Sequence, residues 1–127
     1  MSLKIAINIS NDRKKLTQDE ELSIVKECVD QSKYNNLIKQ YTNLIIYIIS
    51  NTLEKENVTF DEELVEKLLI ETLHKLLKDN AKLLAVYYKH KNSGMPLSIW
   101  IALVTQNIVK SSIHKANALK LVFNDKS

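Results

Sequence analysis

The chain has 127 residues, of which 45% are hydrophobic and 26% are charged, and it contains one glycine and one proline. This length fits one domain with a modest hydrophobic core. β-sandwiches, hairpins and glycine-rich phosphate loops need many residues that adopt positive φ or hold tight turns, so this composition argues against all three. We therefore expect an all-α protein, a compact bundle of four to five helices in one domain over residues 16–123.

Cysteine content and hydropathy indicate the compartment. The single cysteine, Cys28, cannot form an internal disulfide. The longest apolar run, residues 44–49, is far shorter than the roughly 20 residues that span a bilayer. Residues 1–15 lack the apolar segment and small-residue cleavage site of a secretory signal. We expect a cytoplasmic protein that does not enter a membrane.

Charge is distributed unevenly along the chain. The net charge is +3, but residues 80–127 carry seven lysines and one acid, while residues 1–79 carry 11 basic and 14 acidic residues. An excess of six positive charges on the C-terminal half predicts contact with a polyanion. The alternative is that these lysines only solvate the surface, as lysine does in most proteins.

The first half of the chain predicts two helices after a lead-in over residues 1–15. In the lead-in, residues 4–9 alternate partly like a strand, but no second strand-like run follows to pair with them. Thr17 and Glu20 have the spacing of a capping box, which predicts a helix start there and an end near residues 30–33. A second helix is predicted over residues 34–54, with apolar side chains at helical spacing.

A third helix is predicted from a second capping-box spacing, Thr59 to Glu62. Its apolar face extends from Val65 to Leu76. The pair at residues 79–80 marks a break, or the helix continues to Lys89; both alternatives fit the pattern.

The only glycine and the only proline lie together in residues 92–96, which predicts a loop. Pro96 suits the first turn of a last long helix, because that turn does not need its missing N–H. The predicted buried stripe of this helix is Leu97, Trp100, Ile101, Val104 and Ile108, and the predicted polar side is Gln106, Asn107, Lys110 and His114. Residues 124–127 are a short tail.

No catalytic or metal-binding signature is present in the sequence. The three histidines, His74, His90 and His114, are far apart and lack the i, i+4 partners of a helical zinc site. Cys28 lies on an apolar helix face, where a cysteine is typically a small buried hydrophobic residue. We therefore expect a protein that is not an enzyme and needs no cofactor or metal.

The polar side of the last helix is the sequence feature that best suits a function. Amide side chains can read base edges and lysines can pair with phosphates, so such a helix fits nucleic acid. An ordinary amphipathic helix would also place glutamine and lysine outside.

Three segments together resemble the core helical domain, region 2, of sigma-70-type RNA polymerase sigma factors, in particular the extracytoplasmic-function type. Residues 37–45 match that family's two apolar residues, a tyrosine three positions on and two more apolar residues. Residues 71–78 look like its polymerase-docking helix, with Thr72 in place of an apolar residue. Residues 100–110 are similar to its promoter-recognition helix, with Trp100 and Asn107 at the characteristic positions.

The resemblance implies two binding surfaces. One would dock on the clamp helices of the β′ subunit of core RNA polymerase, through Glu71, His74, Lys75 and Lys78. The other would recognise or open the −10 region of promoter DNA, where a base is flipped into a pocket. The residues assigned to DNA are Lys89, Lys91, Asn92, Trp100, Gln106, Asn107, Lys110, His114 and Lys115. An anti-sigma factor is a further partner that the family allows.

Departures from the family pattern leave a second hypothesis open. Gln106 replaces the usual arginine, and Ser111 and His114 replace the usual aspartate and arginine, so fewer bidentate phosphate contacts can form. The sequence stops before the second DNA-binding domain of complete sigma factors, so it is either the N-terminal half of a longer factor or a stand-alone sigma-like regulator. The alternative function is a helical protein-interaction module, or a regulator that mimics a sigma surface, without DNA binding.

Overall fold

The computed structural model describes residues 16–90 and 94–124, with side chains as far as Leu121. These residues form four helices and no strand: α1 (Gln18–Gln31), α2 (Asn35–Lys55), α3 (Glu62–Lys89) and α4 (Leu97–Asn124). The predicted all-α bundle is confirmed. The lead-in over residues 1–15 and the tail residues 125–127 lie outside the described residues.

The helix starts confirm one predicted cap and correct the other. Thr17 caps α1, and its hydroxyl accepts from the Glu20 N–H at 3.2 Å while the Glu20 carboxylate accepts from the Thr17 N–H at 3.0 Å. At α3 the cap is Asp61, whose carboxylate accepts from the Leu64 N–H at 3.0 Å. The predicted cap at Thr59 is wrong. A charged carboxylate two residues later is as good a cap and also interacts favourably with the helix dipole.

All four helices contribute to one hydrophobic core. α2 packs against α4 and α3, and α1 lies along α3. Side chains that are fully buried include Val25 of α1, Ile45 of α2, Leu76 of α3 and Ile101 of α4. A core shared in this way fixes the position of α3 relative to α4.

The buried stripe of α4 differs from the predicted one. The buried residues are Leu97, Ile101, Thr105 and Val109, spaced by four, whereas Trp100, Val104 and Ile108 are half-buried. α4 carries apolar side chains on nearly every side, so periodicity alone did not fix its inner face. The packing of α4 against α2 and α3 decides which of its faces is buried.

Three buried threonines satisfy their hydroxyls within their own helices. Thr52, Thr72 and Thr105 donate to the carbonyls four residues earlier at 2.7–2.8 Å. Because no partner from another helix is needed, each threonine packs as an apolar residue does. Thr72, the departure from the docking-helix pattern, therefore keeps the core face of α3 intact.

α3 is interrupted at residues 78–81, where the sequence left a break and a continuous helix as alternatives. Lys78 is extended, and Asp79, Asn80 and Ala81 all adopt left-handed φ values of 54–59°. Left-handed backbone costs free energy for any residue with a β-carbon. α3 is thus two helical pieces, residues 62–77 and 82–89. This agrees with the first of the two alternatives, a break at residues 79–80.

Candidate partner-binding groove and outer helix face

A groove of about 730 Å³ lies between residues 67–78 of α3 and residues 107–119 of α4. We call it the α3–α4 groove. Its lining includes polar and charged groups from both helices: Lys67, Glu71, His74, Lys75, Lys78, Asn107, Ser111, Ser112 and Lys115. Apolar side chains complete it: Ile70, Ile108, Ala116 and Leu119.

The groove unites two sets of residues that the sequence assigned to separate partners. All four predicted polymerase-docking residues line it from α3: Glu71, His74, Lys75 and Lys78. Two of the predicted DNA-binding residues, Asn107 and Lys115, line it from α4. A single ligand lying in the groove would therefore contact both sets.

The groove combines positive charge with exposed aliphatic surface. Over the part of the chain that the structure describes, four lysines and one acid, Glu71, line the groove. Ile70 is 66% exposed and Leu119 is 58% exposed, although both are large and apolar. Sequence reasoning missed Lys67, Ile70 and Leu119. The available signal was that Ile70 and Leu119 are apolar at positions out of phase with the core stripes of their helices.

The remaining predicted DNA-binding residues of α4 lie on a different face. Lys110 and His114 are exposed and are four residues apart, so they are neighbours on the helix surface. Two and three turns before Lys110 the same side carries Leu103 and Ile99, which are 44% and 52% exposed. We call these four residues the outer face of α4. Gln106 is half-buried beside it.

Trp100 lies at the junction of α3 and α4. Its ring centroid is 5.0 Å from that of Tyr87, with the ring planes tilted by 42°. The Tyr87 hydroxyl donates to the Met95 carbonyl at 2.7 Å, which fixes the chain just before α4. Burial, and to a smaller extent the charge of Glu21, raises the pKa of Tyr87. Trp100 is half-buried, and its ring packs against that of Tyr87.

The loop before α4 contributes little that can be assigned to a ligand. Lys89 is exposed at the end of α3. Gly94 has φ +82°, a left-handed value that favours glycine. Lys91 and Asn92, both predicted to bind DNA, lie outside the described residues.

Glu21 is a buried carboxylate that sequence reasoning missed. It is 5% exposed, accepts a hydrogen bond from the Tyr41 hydroxyl and accepts another from the Ser98 N–H at 3.1 Å. A negative charge at this position caps the N-terminus of α4 from a different helix. The signal in the sequence was an acid inside the apolar-periodic part of α1, where a solvated residue is out of place.

Cys28 is buried in the core, as predicted. Burial, with a smaller contribution from the charge of Glu27, raises the pKa of its thiol to about 11. A thiol in that state is a poor nucleophile. Over residues 16–90 and 94–124, no group of three histidine, cysteine, aspartate or glutamate side chains is arranged to hold a metal ion.

Comparison of the chain with known protein families, with curated proteins and with solved structures finds no match. None of the helices described in the structure is both long and apolar enough to cross a bilayer.

Proposed function

We propose that the chain is a sigma-like transcription domain, which binds core RNA polymerase and recognises or opens the −10 region of promoter DNA. The observation that carries the proposal is the side-by-side arrangement of α3 and α4. The docking residues of α3 and the amide and cationic residues of α4 face solvent on adjacent surfaces of one rigid core. Two partners that bind each other can contact such surfaces at the same time.

DNA recognition is assigned to α4 and to the end of α3. Lys110, His114 and Lys89 are exposed cations or hydrogen-bond donors suited to phosphates, and Asn107 is an exposed amide suited to a base edge. The half-buried side chain of Trp100 supplies an aromatic surface for base stacking. Glu21 and Tyr87 hold the start of this helix, so the donors are positioned before DNA arrives.

Salt-dependent binding of a single-stranded promoter oligonucleotide tests this assignment. Fluorescence anisotropy should show affinity falling as salt rises, and Lys110→Ala should reduce the slope of log K against log salt by about 0.7, one phosphate contact. Lys26→Ala, an exposed lysine on α1, is the matched control and should leave the slope unchanged. Equal slopes for the two variants would contradict a DNA role for α4.

Polymerase docking is assigned to residues 71–78 of α3. A pull-down with purified core RNA polymerase should capture the chain, and the double variant Lys75→Glu, Lys78→Glu should lose capture. The double variant Lys26→Glu, Lys39→Glu, at exposed lysines of α1 and α2, is the matched charge reversal on other helices. Capture that is the same for all three proteins would show that the polymerase binds elsewhere.

A helical protein-interaction module without DNA binding is the second candidate. The exposed apolar side chains of Ile70 and Leu119 favour it, because nucleic acid does not need an aliphatic surface. If no oligonucleotide binding is measurable with or without polymerase, the helical protein-interaction module is the remaining candidate function. Under the first proposal the protein acts in the cytoplasm, where an anti-sigma factor could bind it.

A further inference from the structure

We infer that the α3–α4 groove receives an acidic amphipathic helix of the partner protein, with the apolar face of that helix against Ile70 and Leu119 and its carboxylates beside the lysines. The inference rests on the proposed docking role of residues 71–78 and adds the chemistry of the partner. It also adds residues 111–119 of α4 to the docking surface, which the sequence had not done.

The dimensions of the groove fit a helix. Residues 67–78 of α3 span about 16 Å at 1.5 Å per residue, the length of three helical turns. Three turns of an amphipathic helix present apolar side chains at i, i+3 or i+4, and i+7 along one stripe. Ile70 and Leu119 offer exposed aliphatic surface from opposite walls, so a helix lying between them buries its stripe against both.

The charge of the groove selects an acidic helix. Lys67, Lys75 and Lys78 line it from α3 and Lys115 from α4, and Glu71 is the one acid among the lining residues that the structure describes. Carboxylates flanking the apolar stripe of the partner would meet cations on both walls, and complementary charge of this kind sets specificity and association rate. A basic helix would meet like charges.

Nucleic acid fits the groove less well than a helix does. The lining residues that the structure describes include no aromatic side chain on which a base could stack. The exposed aliphatic residues gain nothing from a phosphate backbone. DNA is therefore assigned to the outer face of α4, with Lys110 and His114, and to Asn107, which lines the groove but is next to Lys110 on the helix surface.

A designed peptide tests the groove directly. The probe is an 18-residue helical peptide with a leucine stripe flanked by glutamates, and the control peptide has lysine at each glutamate. Anisotropy with the full chain should show binding of the acidic peptide only. Lys115→Glu should weaken it about five-fold or more, and Glu71→Lys should tighten it by a similar factor, since each changes a rim charge pair. Opposite effects from two surface substitutions are not expected from altered folding.

Matched controls lie on the same helix. Lys120→Glu makes the same charge change as Lys115→Glu at an exposed position that does not line the groove. Leu119→Ser should weaken the acidic peptide about ten-fold through lost apolar contact, while Leu121→Ser, also exposed and outside the lining, should not. Circular dichroism should be unchanged for all five variants, Glu71→Lys included.

Several outcomes would overturn the inference. These are equal binding of the two peptides, equal effects of groove and control variants, or a groove variant that weakens the oligonucleotide instead of the peptide. A concentration-dependent dimer abolished by Leu119→Ser would assign the groove to a second copy of the chain.

Two further outcomes separate the inference from the proposed function. If polymerase capture is lost in the Lys75→Glu, Lys78→Glu variant but the acidic peptide does not bind, the inference is refuted and the proposed function is kept. Peptide binding without capture of polymerase would refute the proposed function.

Discussion

Glu21 connects three helices through a single carboxylate. It extends from α1 to the Tyr41 hydroxyl of α2 and to the Ser98 N–H at the start of α4. Hydrogen bonds to a buried charge are stronger than those between neutral groups, and removing their acceptor is costly. The placement of α4, and with it both candidate binding surfaces, depends on this residue.

We expect Glu21→Ala to lower the free energy of unfolding by about 3 kcal/mol, because it removes two hydrogen bonds to a buried charge. Glu21→Gln keeps an oxygen acceptor and should cost about 1 kcal/mol. Urea denaturation measures both. Glu66→Ala, an exposed acid on α3, should stay within about 0.5 kcal/mol of the wild type. A cost for Glu21→Ala no larger than for Glu66→Ala would show that the network does not hold α4.

The buried thiol of Cys28 makes stability fall at alkaline pH. Its pKa rises from 9.0 to about 11 on folding, so between these values the unfolded chain loses a proton that the folded chain keeps. Stability contributed by the neutral thiol is complete below pH 9 and decreases by up to about 1.4 kcal/mol per pH unit above it. Urea denaturation at pH 8 and pH 10.5 should show a larger loss for the wild type than for Cys28→Ala. An identical loss would contradict the raised pKa.

At the scale of elements, α3 is two helices joined by one left-handed turn. Residues 62–77 carry three of the four docking side chains, and the fourth, Lys78, lies at the break itself. Residues 82–89 carry Tyr87, which packs against Trp100. The turn changes the direction of the chain between these two helical pieces. It contains an aspartate and an asparagine, which tolerate left-handed backbone better than most residues, and then Ala81, which is fully buried.

Glycine substitutions test the left-handed turn. Asp79 has φ 54° and is exposed, so Asp79→Gly should raise the free energy of unfolding by about 0.5 kcal/mol as backbone strain is relieved. Lys82→Gly, three residues on in right-handed helix, should lower it by about 1 kcal/mol. Thermal denaturation compares the two. Destabilisation by both variants to the same extent would indicate one continuous helix.

At the scale of the whole molecule, the four helices share one core and should unfold together. Trp100 is the only tryptophan, and its packing against Tyr87 reports on contact between α3 and α4. We expect tryptophan fluorescence and far-UV circular dichroism to give coincident urea transitions, as a two-state domain does. A fluorescence change at lower urea than the loss of helix would show that α3 and α4 separate first.

Much of the fold follows from local patterns. The scarcity of glycine and proline, the capping box at Thr17 and the spacing of apolar residues predicted the helices, because these depend on neighbours three or four positions apart. The same patterns left a break near residue 79 and a continuous helix as open alternatives, and the structure has the break. The cap of α3 was misplaced by two residues. Thr59 and Asp61 are both acceptable caps locally, and only the path of the chain into α3 separates them.

The candidate sites show what local patterns leave open. The sequence by itself determined an all-helical chain, a basic C-terminal half and the polar residues of α4. Tertiary structure decided that α4 turns Thr105 and Val109 inward, that Glu21 is buried under its first turn, and that Lys115 joins the docking residues in one groove. The physical reason is that α4 has apolar side chains on nearly all sides, so its rotation is fixed only by burial against α2 and α3, far away in sequence.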